Sequence, residues 1–357
     1  MRDEPNLDDN ERTMYRRPSI KSNFKSAIAT LRNKLGRSIL THASFEGRVV
    51  FGPVPSRRLG YSLGINNVKC KICTYDCVYC QAGQTTCRST CADCCLSPYE
   101  LHSLVKETIE QLQNKKTHID YISFIPNGEP TLDSNLSKEI AVLREFGYNI
   151  AVFTNSSLLW NDTVRENLLF ADYVSVKVDT VNEATWERLN RPHSRLRFGR
   201  ILEGIREFAD LFQGVLTTET MLIKNFNDSL EEVGEVGEYL NTVRRKVSYF
   251  TIPTRPPVEQ YAVPPETGKL EELAGFIKRT IPQSEMLCCP ESGDFIAAGT
   301  MEEGLEGILA VHPMREDAVE KLVRSKGGSK DNLEDMIRIG LIHKVVYKGD
   351  CFYVGNH

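Results

Sequence analysis

The sequence contains the run Cys73-Thr-Tyr-Asp-Cys77-Val-Tyr-Cys80, which places three thiols in one short loop directly after an apparent β-strand at Ser62–Asn67. Thiolates are soft ligands that favour iron–sulfur clusters, copper(I) or zinc. Three of them at this spacing can hold three corners of a four-iron, four-sulfur cube. The fourth iron is then open to bind a small molecule, as catalytic metal sites are.

Cys70 lies three residues upstream of Cys73, so two other kinds of site are alternatives: a closed electron-transfer cluster with four cysteine ligands, and a zinc site. Zinc ribbons usually separate their two cysteine pairs by roughly 15 to 20 residues. Here only three residues separate Cys73 from Cys77. The spacing therefore favours an iron–sulfur cluster with an open iron.

The composition is that of an ordinary globular protein, with 357 residues, 41% of them hydrophobic and 26% charged, and a net charge of −4. No apolar run reaches the length of about 18 residues that a membrane span needs. Residues 1–10 are acidic and lack the apolar core of a signal peptide, so we expect a cytoplasmic location without a membrane partner. Eleven cysteines in a reducing compartment indicate metal ligation and not disulfides.

Three regions are expected along the chain. Residues 1–45 form a polar leader with one amphipathic helix, because Phe24, Ile28, Leu31 and Leu35 recur at helical spacing. Residues 46–295 alternate apolar runs with helical stretches. Six strands joined by helices predict a parallel sheet with right-handed crossovers, either an open doubly wound sheet or a partial barrel. The six predicted strands are Ser62–Asn67, Tyr121–Ile125, Ile150–Thr154, Tyr173–Asp179, Leu216–Ile223 and Val247–Ile252.

Residues 300–357 have a different pattern. Helical runs at Met301–Val311, Arg315–Ser325 and Asn332–Ile339 precede a hairpin whose strands are Lys344–Tyr347 and Cys351–Val354. Three helices and a hairpin in this order predict a winged-helix-like domain. This region holds eight Lys and Arg against ten Asp and Glu, a net charge of −2, and phosphate binding needs the opposite sign. DNA binding is therefore not expected.

Several further motifs accompany the three-cysteine loop. Together with it they resemble the radical S-adenosylmethionine (radical SAM) superfamily, and in particular its wyosine-synthetase-like Fe–S oxidoreductases with a C-terminal winged-helix-like domain. The resemblance implies an α/β fold, a partial (βα)6 TIM-type barrel followed by the small C-terminal domain. The motifs are Gly52-Pro-Val-Pro-Ser-Arg-Arg-Leu-Gly60, Asn127-Gly-Glu-Pro-Thr131, Thr154-Asn-Ser156, Lys177-Val-Asp179 and Thr254-Arg-Pro-Pro257.

The resemblance also implies a chemistry. A 4Fe–4S cluster on Cys73, Cys77 and Cys80 binds S-adenosylmethionine through its amino and carboxylate groups. One electron then cleaves the sulfonium and yields a 5′-deoxyadenosyl radical that acts on a substrate. A one-electron donor such as a ferredoxin or flavodoxin is an expected partner. The family leaves the substrate open, and tRNA is one alternative, as in wyosine-type modification. The second alternative is a non-catalytic Fe–S winged-helix redox regulator.

The family's S-adenosylmethionine contacts are carried over onto matching positions. Gly128 and Glu129 match the step that holds the amino group, with Asn127 before them, and Tyr79 matches an aromatic position near the adenine. Lys177 and Asp179 share one face of a strand because side chains alternate along it. They form either a structural ion pair or contacts to the carboxylate and ribose. Two weaker cofactor-binding candidates are Asn155 and Ser156.

Arg57 and Arg58 lie in the Gly52–Gly60 motif. Their guanidinium groups are forked donors that suit an anionic substrate. They suit equally well ion pairs with acids across the barrel mouth, and the sequence leaves both roles open.

A second group of cysteines repeats the spacing of the first loop. Cys87, Cys91 and Cys94 are candidate ligands of a second, auxiliary Fe–S cluster, because so many thiols in so few residues are difficult to place by packing alone. Packed or surface thiols are the alternative. Three more cysteines are candidate additional ligands, namely Cys95, Cys288 and Cys289.

Overall fold

The computed structural model describes residues 48–68, 71–291 and 293–356. The predicted leader helix of residues 1–45 and the thiol of Cys70 lie outside these residues. The described chain is built around one eight-stranded sheet with the order β1-β2-β5-β6-β7-β8-β9-β10. Its strands are β1 (Val50–Ser56), β2 (Gly60–Ile65), β5 (Tyr121–Phe124), β6 (Asn149–Thr154), β7 (Tyr173–Lys177), β8 (Val215–Met221), β9 (Val247–Thr251) and β10 (Ser284–Leu287).

The order of the strands decides between the two predicted architectures. From β2 to β10 each strand pairs in parallel with the next long strand of the chain, whereas β1 pairs with β2 in antiparallel fashion. A doubly wound sheet reverses its order at a switch point, and this one does not. The fold is a partial barrel whose two edges are β1 and β10, and all six predicted strands are present in it.

Helices cover one side of the sheet. Val174, Val176 and Val178 of the β7 segment belong to the core between sheet and helices, while Ser175 and Lys177 point to the other face, into the barrel. Complete burial of one such apolar side chain contributes about 1.5–3 kcal/mol. The helices that connect the strands are α1 (Pro98–Asn114), α2 (Leu136–Leu143), α3 (Asp162–Leu168), α4 (Glu183–Asn190), α5 (Phe198–Leu211), α6 (Leu230–Leu240) and α7 (Thr267–Thr280).

Two strands of this sheet were not predicted from the sequence, and they are its two edges. β1 carries Pro53 and Pro55, which remove two ladder donors and suit an edge strand. β10 is only four residues long. Both strands therefore lack the continuous apolar run that reveals a buried parallel strand.

The C-terminal part consists of three helices and a three-stranded antiparallel sheet of order β11-β13-β12. Phe51 and Val54 of β1 belong to the same buried cluster as Leu305 and Tyr353, so the barrel and this part share a core. The predicted helices and hairpin are present, and β11 is an addition; the winged-helix-like assignment stays a prediction. The elements are α8 (Met301–Leu309), β11 (Met314–Arg315), α9 (Glu316–Ser325), α10 (Lys330–Arg338), β12 (Ile342–Tyr347) and β13 (Asp350–Gly355).

Across the described residues, none of the helices combines the length and the apolar character that crossing a membrane requires.

Candidate metal centre and cofactor site

The three-cysteine loop follows β2 and is fixed by two sets of backbone hydrogen bonds. The short strand β3 (Ile72–Cys73) pairs in parallel with β4 (Cys87–Arg88). On the other side, the amide of Asp76 donates to the carbonyl of Asn190 at 3.0 Å, and the amide of Val78 donates to that of Leu189 at 3.0 Å. The end of α4 and the second cysteine segment therefore hold the loop between them.

Each of the three thiols accepts one hydrogen bond from a different part of the fold. Lys71 Nζ lies 3.0 Å from Cys80 Sγ. Asn155 Nδ2, after β6, lies 3.4 Å from Cys73 Sγ, and Asn190 Nδ2 lies 3.4 Å from Cys77 Sγ. Donors on ligand atoms orient a metal site and stabilise sulfur in its charged form.

Burial in the loop disfavours the charged form of Cys73 and Cys77, and two neighbouring side chains oppose that effect in part. Burial raises the pKa of Cys73 to about 11 and raises that of Cys77 further, while Lys71 opposes the first shift and Asn190 the second. Lys71 is itself buried, which lowers its pKa, but the charges of Cys80 and Cys73 outweigh burial and raise it. A buried ammonium needs a negative partner, and Cys80 Sγ, 3.0 Å away, can serve as one when it is ionised.

The Gly128–Glu129 step lies against the cysteine loop. A Cβ on Gly128 would lie 1.9 Å from the carbonyl oxygen of Ile72, so no side chain fits between the two segments. The neighbouring Asn127 carries a buried Oδ1 that has no hydrogen-bond partner among the described residues. An orphaned buried acceptor costs free energy unless a ligand satisfies it.

Glu129 is buried and connects the segment after β5 to the end of β6 through hydrogen bonds. Its Oε1 accepts hydrogen bonds from Thr131 Oγ1 and Thr154 Oγ1, both at 2.6 Å, and its Oε2 accepts one from the amide of Asn155 at 2.7 Å. Burial raises the pKa of Glu129, and these bonds oppose the shift. The carboxylate therefore fixes Asn155, which in turn contacts Cys73.

Ser156 and Asn155 form a tight turn after β6. Ser156 has φ +70°, a left-handed conformation, and its Oγ donates to the carbonyl of Lys177 at 2.9 Å. Asn155 Nδ2 also donates to Thr74 Oγ1 at 2.7 Å. Both residues thus connect the end of β6 to neighbouring segments of the site.

The polar face of β7 forms the structural ion pair that was one of its two predicted roles. Lys177 Nζ lies 3.2 Å from Asp179 Oδ1 and 3.2 Å from Glu219 Oε1. Asp179 also accepts hydrogen bonds from the Tyr79 hydroxyl, from Asn190 Nδ2 and from the amide of Met221. The ring of Tyr79 lies under the Lys177 ammonium, at 4.8 Å. Cofactor contact by Lys177, Asp179 and Tyr79 stays a prediction.

The two neighbouring arginines have separate partners. Arg58 lies between the rings of Phe153 and Tyr249, at 5.3 and 5.0 Å, and forms an ion pair with Glu219. Arg58 and Lys177 lower the pKa of Glu219 far below its ordinary range, against the effect of burial. Arg57 instead donates to the carbonyls of Leu287 and Cys289, at 2.7 and 3.0 Å, and so bridges the barrel seam to the end of β10.

The second group of cysteines follows β4. Cys91 and Cys94 are exposed, Cys95 is buried, and Cys94 Sγ accepts a hydrogen bond from Asn135 Nδ2 at 2.8 Å. Cys288 and Cys289 follow β10, at the far edge of the sheet. Within the described ranges, no three or more His, Cys, Asp and Glu side chains form a group that could hold a metal ion. This finding covers the first cysteine loop as well as the second group.

Several residues of the site were missed by reasoning from the sequence. Lys71 precedes Cys73 by two residues, and this closeness along the sequence could have indicated that it lies near the sulfurs. Asn190 and Glu219 gave none, because they reach the site from segments that are distant along the chain. Arg255 lies in a motif of the resemblance, but no role was assigned to it.

Comparison with known proteins identifies the family of the chain. A family model described as the radical SAM superfamily matches residues 67–237. A UPF0026 protein of Methanocaldococcus jannaschii is 41% identical over 310 residues, which cover 86% of this chain and 96% of that protein. A solved radical SAM methyltransferase from Sphaerobacter thermophilus is 17% identical, with a TM-score of 0.48 over 64% of this chain and 66% of that chain. TYW1 with a bound lysine–pyruvate adduct is 12% identical, with a TM-score of 0.46 over 62% of this chain and 74% of that chain.

The chain belongs to the radical SAM superfamily and, within it, to the UPF0026 proteins. It is an enzyme of a class that uses a 4Fe–4S cluster and S-adenosylmethionine. The regulator without catalysis, which the sequence left open, is therefore wrong.

Proposed function

We propose that Cys73, Cys77 and Cys80 hold the 4Fe–4S cluster of this enzyme and leave one iron open for S-adenosylmethionine. When bound, the two groups supply one-electron reductive cleavage of the sulfonium. The observation that carries the assignment is the set of three separate donors, one on each sulfur, from Lys71, Asn155 and Asn190. Packed thiols of a closed core need no such donors.

The residues around the loop have distinct tasks in this proposal. Gly128 lets the backbone after β5 approach the loop, which a side chain would prevent. Asn127 Oδ1 offers an acceptor to a bound amino group, and Glu129 holds Asn155 in place. Tyr79, Lys177 and Asp179 form the wall beside the loop. The cofactor-binding set of the proposal is Tyr79, Asn127, Gly128, Glu129, Asn155, Ser156, Lys177 and Asp179.

The test is S-adenosylmethionine cleavage to methionine and 5′-deoxyadenosine by anaerobically reconstituted, reduced protein. Alanine at Cys73, Cys77 or Cys80 should abolish cleavage, because each removes a cluster ligand. Cys351→Ala is the matched control, since that free thiol lies in β13 of the C-terminal sheet. Cys70→Ala should leave cleavage largely intact. Equal damage from Cys70→Ala would instead indicate a closed four-cysteine cluster.

We further propose that Cys87, Cys91 and Cys94 hold an auxiliary cluster. The proposal is supported by their spacing and by Asn135, which donates to Cys94 as other amides do to the first loop. Cys95 belongs to the same segment as these three cysteines. It is favoured as an additional ligand over Cys288 and Cys289, which follow the edge strand β10.

The iron content separates one cluster from two. Reconstituted protein should hold about eight irons, against about four for a single four-iron cluster. The triple Cys87/Cys91/Cys94→Ala variant should fall to about four irons and still cleave S-adenosylmethionine. If that variant binds as much iron as the parent, the auxiliary cluster does not exist.

A further inference from the structure

We infer that Arg57 and Arg255, on one side of the barrel mouth, bind an anionic group of the substrate, either a carboxylate or a phosphate. The inference rests on the proposed function, because it takes the inside of the barrel as the chamber in which the substrate reacts. We refer to these two residues as the arginine pair.

The arginine pair lies beside the first cysteine loop. Arg255 Nη1 lies 2.6 Å from Oε1 of Gln81, and Gln81 directly follows Cys80. Arg57 reaches the same region from the β1–β2 turn, and its two bonds to the carbonyls of Leu287 and Cys289 fix its orientation. A group held by the pair would therefore lie close to the segment that carries Cys80.

The two arginines share one carboxylate. Arg255 Nη2 forms an ion pair with Glu291 Oε1, and Arg57 Nε lies 3.8 Å from the same oxygen. His312 Nε2 lies 4.0 Å from it as well. The arginine and glutamate side chains are only 10 to 18% exposed, so water screens them little.

Burial and mutual repulsion both act on the charge of the arginine pair. Burial, and after it the charge of Arg57, lowers the pKa of Arg255 to about 9. Burial also lowers the pKa of His312, so the histidine adds no charge at neutral pH. Glu291 is the carboxylate that pairs directly with both guanidinium groups. The charge of Glu219 also acts on both arginines, but Glu219 is already paired with Arg58 and Lys177, so the group carries one excess positive charge. An excess charge away from water is costly unless a counter-ion is bound.

Among the residues that the structure describes, Arg58 and Lys177 inside the barrel do not have this excess. Arg58 and Lys177 are matched by two carboxylates, Glu219 and Asp179. The demand for an anion is therefore concentrated at the arginine pair. The paired N–H donors of a guanidinium group match two oxygens of a carboxylate or a phosphate. The expected ligand therefore carries one of these two groups.

The experiment measures anion binding to the reconstituted full chain. Inorganic phosphate and acetate are each titrated against chloride at equal ionic strength, with thermal stability as the readout, and with and without S-adenosylmethionine. At least one of the two anions should raise the melting temperature, and the one that acts distinguishes a phosphorylated from a carboxylated substrate. Arg255→Gln should weaken its binding at least about tenfold, because a charge-assisted bond is lost.

Two variants keep the result interpretable. Arg255→Lys should retain part of the binding, since it keeps the charge and loses the fork. Arg315→Gln should retain all of it, because Arg315 pairs with Asp350 on the C-terminal sheet. Iron content and S-adenosylmethionine affinity are measured in parallel on every variant, so a failure of the proposed function is recognised separately.

The inference is wrong if neither anion stabilises the parent, or if Arg255→Gln responds as the parent does. A loss of S-adenosylmethionine affinity in Arg255→Gln would overturn it too, because the bound anion would then be the cofactor's own carboxylate. If Arg255→Gln does not fold, Arg57→Gln replaces it with the same expected loss.

Discussion

Single residues set the properties of the cysteine loop. Lys71 is a buried ammonium with one hydrogen bond to Cys80 Sγ and one to the carbonyl of Asn127. Its position couples the sulfur ligands to the segment that also carries the unsatisfied Asn127 Oδ1. We therefore expect it to affect both the charge state of the site and its affinity for iron.

Lys71→Met should make the bound cluster harder to reduce, because a reduced cluster carries one more negative charge and the variant lacks the neighbouring positive one. We expect the midpoint potential to fall by on the order of 59 mV, a tenfold change for a one-electron couple. A redox titration followed by EPR measures it. Lys115→Met, at an exposed position after α1, is the control and should not move the potential. An unchanged potential in Lys71→Met would show that its charge is compensated elsewhere.

Glu129→Ala should weaken S-adenosylmethionine binding while leaving the iron content unchanged. The carboxylate is not a cluster ligand, but it holds Asn155 and lies next to Gly128. Equilibrium binding and iron analysis on the same preparation test this. Glu129→Gln, which keeps the shape, should lose less affinity than Glu129→Ala. A parallel loss of iron would show that Glu129 maintains the loop itself.

At the scale of elements, the turn after β5 is connected to α2 through buried acids. Asp133 and Glu139 lie near each other, and Asn67 Nδ2 reaches both, at 3.4 and 3.5 Å. Burial raises the pKa of Asp133 to about 6, and burial together with the charge of Asp133 raises that of Glu139 to about 9. Glu139 therefore keeps its proton at neutral pH in the folded protein.

This pair predicts a pH dependence of stability. Between the ordinary glutamate pKa of about 4.3 and the folded value of about 9, the unfolded chain loses a proton that the folded chain keeps. Stability should therefore fall as pH rises through this window. Glu139→Gln resembles the protonated acid, so it should remove much of the slope and gain at least about 1 kcal/mol relative to the parent at pH 8. Urea unfolding at pH 5.5 and 8 measures both, and parallel slopes would contradict the assignment.

The sequence was sufficient for elements whose signal is local. The inner strands are buried on one face by helices and read as apolar runs, and the C-terminal helices and hairpin follow from periodicity and turn residues. The edge strands β1 and β10 were missed because prolines and short length hide them. Within the candidate site, the proposed sulfur ligands are predicted from their spacing. Asn190 was not, because it meets Cys77 only after folding, from a position 113 residues away.

At the scale of the whole molecule, the C-terminal part presents an acidic surface. Asp331, Glu334 and Asp335 of α10, where a recognition helix would lie, are all exposed. We expect the full-length protein to bind no duplex DNA. Fluorescence anisotropy at low and high salt tests this, because phosphate-driven association weakens steeply with salt. Sub-micromolar, salt-sensitive binding would contradict the expectation.

The core that β1 shares with α8 and β13 can form only after the C-terminal part has been synthesised. Arg48, just before β1, donates to the carbonyl of Ala298 across a separation of 250 residues, and Phe51 packs with Leu305. A chain emerging from the ribosome thus exposes the apolar face of β1 until α8 and β13 have been made. We expect the nascent chain to depend on chaperones during that interval, because exposed apolar surface and unpaired strand edges favour aggregation.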